Sequence, residues 1–279
     1  MLSDQTMAYG EEVTTALLGV DAVYRAESGD EEGLVVVNMA AQTHKAEDLD
    51  SYAAARARFD ALRILAAELP EPDRRRYYDQ LCHSTLAVIR WREGGLSFAG
   101  QLSDFLHVPA EPASEVELNG LRGEMRALLN GMGYSGDLAD QCSAWQECNR
   151  VPADEVPGVI GKLMDEAWER TDERLPIPAP KSDAMQVVPI SGAAFNARCN
   201  YLERKIELNT DPVLTLPGLK HLAVHEGCPG HYVQFKLRET MYHDGLAPAD
   251  GLLSVVNTAS SSPFEGIADN GLHMLDWIE

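Results

Sequence analysis

Apolar residues recur at three- and four-residue steps through most of the first two thirds of the chain, which predicts a mainly helical protein. Between residues 46 and 69 this spacing joins Phe59, Leu62 and Leu69, and Pro70 ends the pattern. Further helices are predicted over residues 73–91, 114–129, 137–148 and 153–171. Ser114 with Glu117 matches a capping box at a helix start. We interpret these apolar stripes as the core of a scaffold.

The pattern changes after residue 175, where alternating prolines (Pro176, Pro178 and Pro180) predict a stiff connector. Short apolar or alternating runs over residues 185–188 and 201–209 predict strands, and residues 216–239 return to a helical spacing. A last helix is predicted from Pro263 through Trp277. The expected fold is therefore mainly α, with a small β element before the helix over residues 216–239. We expect a helical scaffold over residues 1–175, and the β element with the helices that follow it over 176–279, in one continuous domain.

Composition narrows the classes of partner. The chain has 279 residues and a formal net charge of −21, a balance that repels nucleic acid and anionic membranes. No apolar run approaches the roughly 20 residues that a membrane span needs. The five cysteines are scattered and the first residues lack a secretion signal, so we expect reduced thiols and a cytoplasmic location.

The chain ends at Glu279, inside what looks like the last predicted helix and without a C-cap glycine. Two alternatives stay open. Either the sequence is one piece of a longer protein, or the natural C-terminus is short. In the first case, a missing C-terminal half could complete a functional site. In the second case, another copy of the chain in a homo-oligomer could do so.

The segment from His225 to His231 carries the candidate chemistry. A His-Glu pair with a second His nearby can hold a zinc ion and a general base side by side. In the common zinc-helix motif the two histidines lie four residues apart, whereas here they lie six apart. Six steps of about 100° place the side chains about 120° apart on an ideal helix. We therefore expect the helix to break at Pro229 and Gly230, so that His231 can reach the ion.

The third metal ligand is expected from another element. Glu265, 40 residues after His225, is the leading candidate, and a salt bridge or a helix-start charge is its alternative. We interpret Asp269 as an exposed surface carboxylate, with orientation of a metal ligand as the alternative. Cys228 is interpreted as a buried inert thiol rather than a ligand. His221 shares a helical face with His225, and packing or solvent contact is expected of it.

These residues resemble the signature of the domain-of-unknown-function family 885: His-Glu-x-x-Pro-Gly-His, followed by a Glu-Gly-Trp-Ala-like segment. The first part is His225 to His231, and the second begins at Glu265, with Ile267 where the family usually has Trp. Family members are about twice as long as this chain and usually have a second His at the position of Tyr232. The family is similar in fold to Taq-type zinc carboxypeptidases, which implies a helical metallopeptidase acting on short peptides.

The leading hypothesis is a zinc-dependent hydrolase, carboxypeptidase- or dipeptidase-like. His225, His231 and Glu265 would hold one zinc ion, and Glu226 would act as the general base. Tyr232, Tyr242 or Arg198 could stabilise an oxyanion. Arg198 or Arg204 could meet a terminal carboxylate. The alternatives are a non-catalytic helical binding or scaffold protein with a relic motif, and a metal enzyme of different chemistry.

Overall fold

The computed structural model describes residues 1–29 and 32–278. Asp30, Glu31 and Glu279 lie outside the described residues. The chain is mainly helical, as the apolar spacing predicts. Among the described residues, no helix has the length and apolar character that a membrane span requires. The α-helices are α1 Asp4–Ser28, α2 Tyr52–Ala66, α3 Pro72–Arg92, α4 Phe98–Phe105, α5 Glu115–Gly131, α6 Leu138–Cys148, α7 Val156–Arg174, α8 Leu216–Leu222, α9 His231–His243, α10 Ser261–Asp269 and α11 Gly271–Met274.

The strands form two small sheets. They are β1 Val35–Asn38, β2 Gln186–Ile190, β3 Ala197–Asn200, β4 Lys205–Asn209 and β5 Leu253–Val255. Strands β1 and β5 pair antiparallel. In the second sheet β4 is the central strand, parallel to β2 and antiparallel to β3. Ile206 of β4 pairs with Val187 of β2 on one side and with Cys199 of β3 on the other.

The chain divides into two compact units, each built from segments that are distant in sequence. The first comprises Met1–Ala110, Ile177–Ala179 and Val233–Ile267. Its core lies among α1, α2 and α3, where Val13, Phe59 and Ile89 are fully buried. A buried carboxylate, Asp21 of α1, accepts hydrogen bonds from the backbone amides of Leu34 and Val35 at 2.6 and 2.9 Å. These bonds hold the start of β1 against α1 without leaving the buried amides unsatisfied.

The second unit comprises Glu111–Pro176, Pro180–Tyr232 and Ala268–Glu279. Its core joins α7, β4 and α8 through the buried side chains of Ile160, Leu208 and Leu219. Thr215 caps α8 by accepting a hydrogen bond from the amide of Gly218. The chain therefore passes from the central strand through a capped helix directly into the His225 motif. Both units draw on residues from either side of position 175.

Several predicted boundaries need correction. The helix predicted over residues 46–69 begins only at Tyr52, because the Ser51 side chain caps it. The run over residues 201–209 is a strand only in its second half, since residues 201–204 form a turn in which Arg204 adopts a φ of 55°. The helix predicted from Pro263 through Trp277 starts earlier and is interrupted at Asn270. The capping box of Ser114 and Glu117 is confirmed.

The Glu71 carboxylate, just before α3, supports the start of α1. It accepts hydrogen bonds from the hydroxyl of Thr6 and from the backbone amide of Ser3, the latter at 2.7 Å. These bonds lower the pKa of Glu71 from 4.5 to about 2. A carboxylate with a lowered folded-state pKa contributes stability above its unfolded pKa, and the contribution is lost as the pH falls towards the folded pKa.

We expect Glu71→Gln to lower the melting temperature at pH 7, because the neutral amide is a weaker acceptor for these donors. The difference from the wild type should shrink as the pH falls from about 4.5 towards 2, where the carboxylate becomes protonated. Thermal unfolding followed by circular dichroism at a series of pH values measures this. Glu68→Gln, three residues earlier, is the control. A difference that stays constant with pH would contradict the assignment.

Candidate metal centre

The backbone of the His225 motif leaves the α-helical path in two places. Helix α8 runs into a π-helical turn over Ala223–Gly227, and α9 begins at His231. The residues between them, Cys228 to Gly230, are outside both helices, and the Cys228–Pro229 peptide is cis. The predicted break at Pro229 and Gly230 is therefore confirmed, and the π turn adds a widening of the helix that the sequence did not indicate.

Gly230 makes the break possible because its backbone lies directly against the preceding turn. Its amide donates a hydrogen bond to the Val224 carbonyl at 3.0 Å. A Cβ atom at this position would collide with the carbonyl groups of His225 and Val224. Only glycine fits so close an approach of two backbone segments. The Pro-Gly pair thus has a specific geometric task within the motif.

The break brings the two histidines together. The ring centroids of His225 and His231 lie 4.7 Å apart, with the ring planes at 80°. On an uninterrupted helix, side chains six residues apart point about 120° away from each other. The wide turn and the Gly230 contact remove that divergence. Both imidazoles can therefore approach one ion.

Glu265 of α10, the expected third ligand, belongs to the first compact unit, whereas both histidines belong to the second. His231 is buried and His225 is half-buried. Two imidazoles suit a transition-metal ion such as zinc. Glu265 as the third ligand stays a prediction.

Asp269, one turn after Glu265 on α10, contacts His225. Its Oδ1 lies 2.9 Å from Nδ1 of His225 and 3.6 Å from Nε2 of His221. Although the side chain is exposed, as expected, it is more than a surface carboxylate. A carboxylate that pairs with Nδ1 can orient an imidazole and leave its Nε2 for a metal. His221, His225 and Asp269 also form a second group whose ligand atoms lie within 4.8 Å of one another.

Glu226, the predicted general base, is buried in the second unit with 5% of its surface exposed. Burial raises the pKa of the Cys199 thiol on β3, and the negative charge of Glu226 raises it further. Glu226 is thus close to β3 as well as adjacent in sequence to His225. Its role as base stays a prediction.

The side chains expected to contact substrate have other partners. Tyr232 is fully buried, and its hydroxyl donates to Oδ2 of Asp183 at 3.2 Å. Arg198 pairs with Glu207 across β3 and β4 at 2.8 Å. Arg204 pairs with Asp183 at 3.2 Å. A substrate-binding role for Tyr232 or Arg198 stays a prediction, and nothing in these contacts favours it.

Cys228 lies inside the motif and is buried, and burial raises the pKa of its thiol to about 12. It is therefore a protonated, inert group at neutral pH, in line with the sequence interpretation. All five cysteines are unpaired, as expected for reduced thiols.

One residue that supports the motif escaped the sequence-based prediction. A Cβ atom on Gly271 would collide with the Val224 side chain and lie 3.3 Å from Pro229 Cδ. This close packing occurs where α10 ends and α11 begins. The Asn270–Gly271 dipeptide is a turn signal, and it could have predicted the interruption, whereas the contact with Val224 depends on the tertiary structure.

Comparisons with protein-family models, with curated proteins and with solved structures gave no match to this chain. The site must therefore be interpreted from its own geometry.

We expect Gly230→Ala to lower the free energy of unfolding by about 2 kcal/mol or more, because the added methyl group must displace the carbonyl groups of Val224 and His225. Urea denaturation measures this. Gly158→Ala on α7 is the matched control, since a Cβ there meets nothing within 4 Å. It should change stability by less than about 1 kcal/mol. Wild-type stability in Gly230→Ala would refute the close approach.

We expect Asp269→Asn to weaken zinc binding roughly ten- to hundredfold, because the neutral amide no longer orients the His225 ring. Competition with a chromophoric zinc chelator measures the dissociation constant. The exposed Asp244, changed to Asn, controls for the loss of one negative charge. Equal zinc affinity in the two variants would remove Asp269 from the metal site.

Proposed function

We propose that this chain is a zinc-dependent hydrolase that cleaves peptide bonds. The observation that supports it most is the approach of the His225 and His231 rings, with Glu226 next to the first histidine in sequence. With Glu265 as the third ligand, this combination would supply a metal-binding donor set, a free coordination position and a neighbouring carboxylate.

The residues divide the work of hydrolysis among them. His225, His231 and Glu265 would hold the zinc ion, and Asp269 would orient His225. Zinc, when bound, would lower the pKa of a water ligand to roughly 7 and polarise the scissile carbonyl. Glu226 takes a proton from the attacking water and delivers it to the leaving amine. A carboxylate suits both steps, because the proton it accepts in the first is the one it donates in the second.

One feature favours a peptidase over other hydrolases, and two others agree with it. The motif from His225 to His231 resembles that of the domain-of-unknown-function family 885, whose fold is similar to that of Taq-type carboxypeptidases. The chain is mainly helical, as such an architecture requires. The two histidines lie six residues apart, whereas in the common zinc-helix motif they lie four apart. A break in the helix accommodates this longer spacing. We therefore propose short peptides as substrates, cleaved by a carboxypeptidase- or dipeptidase-like enzyme.

Glu226→Gln tests the proposal. Turnover of a panel of di- and tripeptides should fall roughly 100- to 10,000-fold, because the amide cannot accept the water proton. Zinc content, measured by atomic emission, should stay near one equivalent, since Glu226 is not a ligand. Glu203→Gln, on the β3–β4 turn, is the control and should keep both activity and metal.

Two results would contradict the proposed function in different ways. Full activity in Glu226→Gln would refute the assigned base. Wild-type protein that holds less than about a tenth of an equivalent after zinc supplementation would favour a relic motif in a binding or scaffold protein.

A further inference from the structure

A cavity of about 310 Å³ lies in the first compact unit. Helices α3, α9 and α10 contribute to its wall, which includes Arg74, Tyr77, Gln234, Arg238, Phe264 and Ile267. Such a volume is at the lower end of the range for small-molecule sites and suits a group the size of one amino-acid residue. The wall combines aromatic and aliphatic surface with a small number of polar groups, the usual make-up of a ligand site.

The charged residues of this cavity are Arg74, Arg238 and Asp250. Asp250 is buried, and its two oxygens accept hydrogen bonds from the hydroxyls of Tyr77 and Tyr78 at 3.0 and 2.8 Å. The carboxylate is thus held by the tyrosines, and two guanidinium groups face one acid. The residues that line the cavity therefore carry a net positive charge, although the whole protein has a formal net charge of −21.

Both arginines have donor groups left for a ligand. Arg238 donates to the Leu253 carbonyl at 2.6 Å and stacks 5.7 Å over the Phe264 ring. Arg74 lies 5.7 Å over the Tyr77 ring, and within residues 1–29 and 32–278 its guanidinium makes no hydrogen bond or ion pair. A guanidinium has five N–H donors, arranged to bind a carboxylate through two parallel bonds.

We propose that this cavity binds a carboxylate, and that Arg74 and Arg238 are the groups that recognise it. The surrounding apolar wall would hold the aliphatic or aromatic part of the same ligand. Residues that line the cavity are also close in sequence to the candidate metal ligands. Gln234 follows His231 by three residues on α9, and Phe264 and Ile267 flank Glu265 on α10.

This continuity assigns a substrate class. The peptide would carry a negative charge near the scissile bond, either its terminal α-carboxylate or an acidic side chain. That assignment rests on the proposed hydrolase, whereas carboxylate binding itself does not. A direct binding measurement therefore separates the two, because it needs neither turnover nor added metal.

Isothermal titration of the wild-type chain with three probes tests the site. N-acetyl-leucine carries only an α-carboxylate, the α-amide of N-acetyl-glutamate carries only a side-chain carboxylate, and N-acetyl-leucinamide carries none. We expect at least one acid to bind about tenfold or more tightly than the uncharged amide, and the preferred acid identifies the source of the carboxylate. Equal binding of all three probes would overturn the proposal.

Arg74→Gln provides the second arm of the test. It should abolish the preference for the acid while leaving the melting temperature unchanged, because Arg74 makes no bond that holds the fold. Arg76→Gln removes the same charge two residues away on α3, where Arg76 pairs with the exposed Asp73. That control should keep the preference. An acid preference that survives in Arg74→Gln, or is lost equally in both variants, would assign the effect to general charge and overturn the cavity site.

Discussion

The close approach of Gly230 to the carbonyl groups of Val224 and His225 is the constraint on which the candidate site depends. It closes the loop between the π turn and α9, so that His231 begins a new helix instead of continuing the old one. The path of the backbone then brings the two histidines side by side, with their ring centroids 4.7 Å apart.

The same turn is supported from a second direction. Gly271 packs against Val224 at the end of α10, and that helix carries both Glu265 and Asp269. The interruption at Asn270 therefore belongs to the site, because Gly230 and Gly271 both pack closely against Val224 and Asp269 of α10 contacts His225. The interruptions of the helices are concentrated near the ligand residues, as is common at functional sites.

Much of this arrangement could be predicted from local pattern. Helical spacing indicated α2, α3, α5, α6 and α7, and residue type pointed to His225, His231 and Glu265. The missed features depend on tertiary structure. Nothing local marks the left-handed Arg204 that turns the chain between β3 and β4, and the contact of His225 with Asp269 joins residues 44 positions apart. Arg74 and Arg238 are farther still from each other, and only the fold reveals that they share a cavity.

The π turn also bears on how metal sites are recognised from sequence. A search template that requires two histidines one α-helical turn apart encodes an assumption about backbone geometry, not about coordination chemistry. In this chain the extra residues between His225 and His231 are absorbed by one widened turn and a Pro-Gly break. Templates that allow such insertions, and require glycine where two backbone segments touch, would recover sites of this kind that fixed spacing excludes.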